Sequence, residues 1–300
     1  MRREITAGLA AVLMSVALAA CGSSPGTTTG TASVVSAPVR VAHTSLGTVG
    51  YRVVGSGPPL VLIMGYAGTM ETWDPRLVDA LARHYRVVTF DNSGIGDTQP
   101  LPAPLTIDAM ANQTSALIGA LGLGQPDVLG WSMGGMIAQA LAVLHPSQVR
   151  RLVLCATFPG TGRVAVPPQA EVAALTSGNS QEVAAALFPA NQVKAYDAFA
   201  AATSGYPAAS APSSATIAAQ ARAVIGWWDG ADAAGPEVAG LSVPTLIADG
   251  TADRLDPVAN DRALAELIPG SKLVFYPDAG HAFLFQVGTP FTTLVESFLA

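Results

Sequence analysis

Short apolar runs of strand length alternate along this chain with stretches of helical period, and that alternation constrains the fold more than any other feature. Several of the runs carry no polar alternation, as expected for strands that are buried on both faces. Strands separated by helices pair in parallel through right-handed crossovers. The pattern predicts an α/β fold with helices on both faces of a mostly parallel central sheet, with strands in PPLVLIM, YRVVTF, PDVLGW, VRRLVLC, VPTLIAD and KLVFY. A β-hairpin is predicted to precede them, within residues 39–57.

The alternation stops between residues 159 and 240. Short helical segments at 181–188, 193–203 and 214–228 lie there among Pro, Ser and Gly, without strand-like runs. Because the last strands follow this stretch, we expect residues 159–240 to form a helical cap inserted into one core domain. The core would then consist of residues 39–158 and 241–300.

The N-terminal residues have the features of an export signal. Arg2 and Arg3 precede an apolar run, which ends in Leu-Ala-Ala-Cys at residues 18–21 and resembles the bacterial lipobox. We expect residues 1–20 to be a lipoprotein signal peptide, and lipidated Cys21 to anchor the protein on the outer face of the bacterial cell membrane. The small polar residues that follow predict a flexible tether over 21–38. An ordinary signal peptide or a short membrane anchor is the alternative.

Composition excludes several classes of partner. Half of the residues are hydrophobic, which is enough for a large core, and charged residues make up 12% with a formal net charge of −6. No block of Lys and Arg occurs, so a nucleic-acid partner is not expected. The HExxH, CxxC and Walker-type patterns are absent as well, so the sequence predicts neither a metal nor an organic cofactor.

The segment GWSMGG, residues 130–135, places a serine where a predicted strand becomes a predicted helix. Gly130 and Gly134 remove side chains on either side of a sharp turn, which lets Ser132 adopt a strained backbone conformation with its hydroxyl pointing outward. The N–H of Met133 lies at the start of the helix, where developing negative charge is stabilised. The pattern predicts that Ser132 is a nucleophile.

A serine hydroxyl needs a base to accept its proton. Of the four histidines, only His281 follows a strand, KLVFY, by a short loop, and so lies at the edge of a parallel sheet where ligands gather. His43, His84 and His145 are assigned structural roles. The segment ADGTADRLD, after the preceding strand, offers three carboxylates to orient the imidazole, namely Asp249, Asp253 and Asp256.

The ordered set GWSMGG, DGTAD and AGH resembles the α/β-hydrolase superfamily over residues 40–300, and within it the aclacinomycin-methylesterase and haloperoxidase-like groups. The resemblance implies a triad of Ser132, Asp253 and His281, because Gly250 to Asp253 matches the Gly-x-x-Asp pattern of the superfamily. It also implies an oxyanion hole that pairs the Met133 N–H with the backbone N–H of Tyr66. Met64 stands where many members carry histidine.

These residues predict a serine hydrolase that cleaves an ester or related acyl bond of a small molecule through an acyl-enzyme on Ser132. Perhydrolase (haloperoxidase-like) and C–C bond hydrolase activities on the same triad are the enzymatic alternatives. A non-catalytic lipid-binding or carrier lipoprotein is the alternative from another class. Trp131, Trp227 and Trp228 are candidates for lining the substrate pocket, although aromatic residues of this kind also serve as packing anchors.

Overall fold

The computed structural model of the protein describes residues 33–300. Its eight strands form one sheet in the order β1-β2-β4-β3-β5-β6-β7-β8. Strands β1 and β2 form an antiparallel hairpin, β2 pairs antiparallel with β4, and all later pairs are parallel. The predicted mostly parallel sheet is therefore confirmed. The strands are β1 (Arg40–Thr44), β2 (Gly47–Val54), β3 (Pro59–Ile63), β4 (Arg86–Phe90), β5 (Asp127–Trp131), β6 (Leu152–Cys155), β7 (Thr245–Gly250) and β8 (Lys272–Tyr276).

Helices cover both faces of the sheet, because successive side chains along a strand point to opposite faces. Val61 and Ile63 of β3 join an apolar cluster with α2 and α3, whereas Leu60 and Leu62 join a second cluster with α1 and α11. The sheet thus lies between two cores. The helices of the core are α1 (Pro75–Leu81), α2 (Ile107–Ala120), α3 (Met133–Leu144), α9 (Ala259–Leu267), α10 (Phe283–Gln286) and α11 (Thr289–Leu299).

The segment between β6 and β7, residues 156–244, consists of helices joined by loops and contains no strand. The tryptophan-bearing helix α7 packs on α2, and the short helix α8 packs on α3. The indole of Trp227 in α7 is fully buried in the cluster on that face of the sheet. The helices of this segment are α4 (Gln169–Thr176), α5 (Ser180–Leu187), α6 (Val193–Thr203), α7 (Ser214–Trp228) and α8 (Ala234–Glu237).

The first described residues are bound to the folded body. The Ser33 hydroxyl and the Val34 N–H donate to the two carboxylate oxygens of Asp79 in α1, at 2.6 and 2.7 Å. Val34 and Ala37 are buried. Residues 33–37 of the predicted tether are thus held against the folded body by hydrogen bonds to Asp79 and by two buried apolar side chains. The predicted signal peptide, the lipidated Cys21 and the rest of the tether lie outside the described residues.

Candidate active site

Ser132 occupies the turn between β5 and α3 with a φ of 57° and a ψ of −125°. A non-glycine residue in this region costs about 1–3 kcal/mol and persists only where its surroundings determine it. A Cβ on Gly130 would lie 2.2 Å from the Gly134 carbonyl oxygen, and one on Gly134 would lie 2.0 Å from that of Ile63. Glycine is therefore required at both positions for α3 to approach the sheet this closely.

Two backbone N–H groups lie beside the serine. That of Met133 opens α3, where the first N–H groups of a helix lack intrahelical partners. Tyr66 lies in the loop after β3, and a Cβ on its neighbour Gly65 would be 3.2 Å from the Ser132 Cβ. Within residues 33–300 no protein group accepts from the Tyr66 N–H. Both groups are available to a bound substrate.

Hydrogen bonds to the residues around Tyr66 hold this loop in place. The Asn92 side-chain amide donates to the Met64 carbonyl at 2.8 Å, and the Ala67 N–H donates to the side chain of Gln220 in α7 at 2.9 Å. Ala67 itself has a φ of 54°. The sequence did not indicate Gln220, because its contact with the loop spans 153 residues. The cap helix α7 thus helps to position the Tyr66 N–H.

The imidazole of His281 is held by the carboxylate of Asp253. Its Nδ1 lies 2.7 Å from Asp253 Oδ2, and both residues are buried. Asp253 Oδ1 accepts from the N–H groups of Leu255 and Asp256 at 2.7 and 2.8 Å, so the carboxylate is itself oriented. Because Nδ1 of His281 is bonded to Asp253, Nε2 is the ring nitrogen that can accept a proton.

Ser132 and His281 line the same cavity. No hydrogen bond joins the serine hydroxyl to the imidazole within the part of the chain that is described. Such bonds are often long in enzymes without substrate and tighten when the substrate is bound. The cavity measures about 120 Å³ and its walls are otherwise mostly apolar, formed by side chains that include Met136, Phe158, Val172, Val224, Trp228 and Leu255.

The three tryptophan candidates have different positions. Trp228 lines the cavity, whereas Trp131 and Trp227 are not among the residues of its walls. The Trp227 indole donates to the Phe158 carbonyl at 3.0 Å, and the Trp131 indole donates to the His281 carbonyl at 2.9 Å. Trp131 therefore connects the strand before Ser132 to the loop that carries the imidazole.

Comparison with known proteins places this arrangement in a family. The family model described as alpha/beta hydrolase fold matches residues 58–286. The chain belongs to the α/β hydrolases. BpoC of Mycobacterium tuberculosis, whose name assigns it provisionally to the non-heme bromoperoxidases, is 30% identical, over 82% of this chain and 95% of that protein. The polyketide synthase ThaQ of Burkholderia thailandensis is 34% identical over 82% of this chain, but the match spans 12% of ThaQ.

A solved structure shows the same fold. The alpha/beta hydrolase fold protein from Chitinophaga pinensis superposes with a TM-score of 0.80 at 24% identity, covering 89% of this chain and 99% of the other. At that level of identity the likeness concerns the fold alone. The expected α/β-hydrolase fold, with a haloperoxidase-like relative, is thereby confirmed.

This α/β hydrolase also carries buried carboxyl groups next to Asp253. Asp249, Asp256 and Asp261 are fully buried, and each presents an oxygen within 4.8 Å of the others. In residues 33–300 they form the group of side chains whose spacing suits a metal ion. Burial raises the pKa of all three, and that of Asp261 reaches about 8. The four aspartates within residues 249–261 are the sequence signal for this cluster.

Proposed function

We propose that this α/β hydrolase is a serine hydrolase that cleaves an ester bond through an acyl-enzyme on Ser132. The observation that carries the proposal is a serine at positive φ, which shares a cavity with an imidazole whose other nitrogen lies 2.7 Å from a buried carboxylate. In this scheme Ser132 Oγ attacks the carbonyl carbon while Nε2 of His281 takes its proton. Asp253 keeps the imidazole in the required tautomer and stabilises its cation.

The negative charge that develops on the carbonyl oxygen would be stabilised by the N–H groups of Met133 and Tyr66. Both belong to backbone that other contacts hold in place, so no reorganisation is needed during the reaction. The protonated His281 then donates its proton to the leaving alcohol. Water, activated by the same imidazole, attacks the acyl-enzyme and restores the Ser132 hydroxyl.

The cavity supports a small apolar acyl group as the preferred substrate part. Its volume of about 120 Å³ is close to that of the cavities of about 150 Å³ that hold benzene in proteins. Its walls offer little hydrogen bonding beyond Ser132 and His281, so the acyl chain would bind mainly by burial of apolar surface. We therefore expect short or branched acyl esters to be hydrolysed faster than long-chain esters.

A fluorophosphonate probe tests the nucleophile. It should label the wild-type protein and spare Ser132→Ala, while Ser204→Ala, a change at an exposed serine of the cap, should label normally. Hydrolysis of p-nitrophenyl esters of graded acyl length should fall at least about a thousandfold in Ser132→Ala and His281→Ala. Labelling that survives in Ser132→Ala, or an inert wild type, would favour the lipid-carrier alternative.

Perhydrolase activity is a second candidate, and the similarity to BpoC favours it. The same serine would be acylated by a carboxylic acid with loss of water, and hydrogen peroxide would then release the acyl group as a peracid, which oxidises bromide to the brominating species and returns the carboxylic acid. Bromination of a dye that depends on both acetate and peroxide, and is lost in Ser132→Ala, would assign this activity. Ester hydrolysis without such bromination would exclude it.

We also propose that Cys21 carries a lipid anchor, on the strength of Arg2, Arg3 and the Leu-Ala-Ala-Cys segment at residues 18–21. A Cys21→Ala variant expressed in a bacterial host should move from the membrane fraction to the soluble fraction and fail to incorporate a clickable fatty acid. Unchanged fractionation and incorporation would contradict the anchor.

A further inference from the structure

Three buried carboxyl groups lie behind the proposed catalytic acid and take no part in the mechanism above. Asp249 is the penultimate residue of β7, Asp256 lies in the loop that carries Asp253, and Asp261 lies in the first turn of α9. An oxygen from each falls within 4.8 Å of the others. We call Asp249, Asp256 and Asp261 the carboxyl cluster.

Four of the six carboxyl oxygens of the cluster have no protein donor within the described residues. Asp249 Oδ1 accepts from the Gly250 N–H at 2.6 Å, and Asp256 Oδ1 accepts from the Asn260 amide at 2.8 Å. Within residues 33–300, no protein donor reaches Asp249 Oδ2, Asp256 Oδ2 or either oxygen of Asp261. Buried carboxylates without donors are costly, whereas a protonated carboxyl group can donate to its neighbour.

The surrounding charges also disfavour ionisation of the whole cluster. Asp253 lies beside the cluster in the loop between β7 and α9, which we call the acid loop. The buried thiol of Cys155 faces Asp261 from β6. Arg262, an exposed residue of α9 whose guanidinium lies over the ring of Phe275, is the cation that lowers the pKa of Asp261. Within the described residues, no basic side chain forms an ion pair with a member of the cluster. After desolvation, the neighbouring carboxylates are the next largest cause that raises the pKa of Asp249 and Asp256.

We propose that Asp249, Asp256 and Asp261 are positioning residues that share protons, so that Asp253 is the one ionised carboxylate of the acid loop. Oxygens of Asp249 and Asp261 lie within 4.8 Å of each other in a fully buried site, where two negative charges would repel strongly, so at least one of the two carboxyl groups keeps its proton. The catalytic consequence rests on the proposed role of Asp253. The sharing of protons does not.

Asp256 connects the carboxyl cluster both to Asp253 of the proposed active site and, through Asn260, to the segment between β6 and β7. The Asp256 N–H holds Asp253 Oδ1, while the Asp256 side chain holds Asn260. Asn260 in turn bonds both the N–H and the carbonyl of Ala165 in the cap segment, at 2.7 and 3.0 Å. Ionisation of the cluster would place additional negative charge beside Asp253 and repel the loop that orients His281. Activity should therefore fall as the cluster loses its protons at alkaline pH.

Infrared spectroscopy of the full-length protein tests the proton directly. Near neutral pH the wild type should show the C=O stretch of a buried protonated carboxyl group. Asp249→Asn and Asp261→Asn should each remove band area that corresponds to a carboxyl group of the cluster. Asp197→Asn, at an exposed position of α6, should leave the band unchanged. Two independent variants keep the test decisive if one of them does not fold.

A pH profile tests the positioning role. Because asparagine mimics a carboxyl group that cannot ionise, Asp249→Asn should shift the alkaline limb of kcat/KM to higher pH, whereas Asp249→Ala, which lacks a donor, should lower activity throughout. Absence of the protonated band in the wild type would overturn the proposal. A second result would also overturn it. If excess Ca²⁺ raised the unfolding midpoint of the wild type but not that of Asp249→Asn, the cluster would be a cation site. The band is measurable in Ser132→Ala, so an inactive enzyme would refute the proposed function without touching this inference.

Discussion

Replacing Asp91 with asparagine should make the stability of this protein less dependent on pH between about pH 5 and about pH 8. Asp91 follows β4 and is 2% exposed. Its Oδ1 accepts from the Met70 N–H at 2.7 Å, a bond that asparagine can keep. Desolvation is the largest cause that raises the pKa of Asp91 to about 7, with smaller contributions from Glu71 and Asp97.

The direction of this change in stability follows from the pKa of Asp91 in the unfolded and in the folded protein. An aspartate in the unfolded chain has a pKa of about 3.9 and loses its proton first as the pH rises, so ionisation favours unfolding until the folded-state pKa is passed. With a pKa of about 7 in the folded state, the contribution of Asp91 to stability falls by about 2.5 kcal/mol between about pH 5 and about pH 8. Most of that fall occurs below about pH 7.

Urea titrations of wild type and Asp91→Asn across this pH range measure the effect as a difference in unfolding free energy. The difference isolates Asp91 from Asp261, which titrates at about 8 in both proteins. Asp197→Asn, at an exposed site, should follow the wild type. If the wild type and Asp91→Asn lose stability in parallel from pH 5 to pH 8, burial does not raise this pKa and the reasoning is refuted.

Trp228→Ala should enlarge the cavity and shift kcat/KM for p-nitrophenyl esters toward longer acyl chains, because the indole forms part of its wall. An unchanged preference would show that the acyl group binds elsewhere. Gly134→Ala should prevent the turn at Ser132 from forming, because the added Cβ would lie 2.0 Å from the Ile63 carbonyl oxygen. A soluble variant with the wild-type Tm would contradict that close approach. Trp227→Phe should lower the free energy of unfolding by about 0.5–1.5 kcal/mol in urea titrations, since it removes one of the two hydrogen bonds that the buried Phe158 carbonyl accepts and leaves only that from the Gln139 amide. No loss would mean that the Gln139 amide alone satisfies this carbonyl.

The core strands could be predicted because their burial produces a pattern that is visible in a few consecutive residues. Strands β5, β6 and β7 are buried over their whole length, so their residues form continuous runs with no exposed side to interrupt them. Helix α4 was not predicted, and its sequence QAEVAALT shows why. Small alanines occupy several positions of that helix, so no apolar stripe distinguishes it from the neighbouring loops.

The candidate site also has features that depend on neighbouring residues and features that depend on residues far apart in the sequence. The turn at Ser132 depends on Gly130 and Gly134, which lie within two residues of it, so six letters of sequence are enough to predict it. By contrast, Trp131 reaches the His281 carbonyl across 150 positions, and its role as a connection is invisible until the strands are assembled. Asp256 lies shortly before α9 in the sequence, but Val258 is the N-cap residue of that helix, and the Asp256 carboxyl group turns inward to Asn260.

The attachment of Ser33 and Val34 to Asp79 sets an upper limit on how far the enzyme can stand from a bilayer. If Cys21 carries the lipid, the twelve residue steps from Cys21 to Ser33 span at most about 40 Å when fully extended. That reach is comparable to the thickness of one membrane. Substrates would therefore be met within a few nanometres of the lipid surface, where hydrophobic esters concentrate.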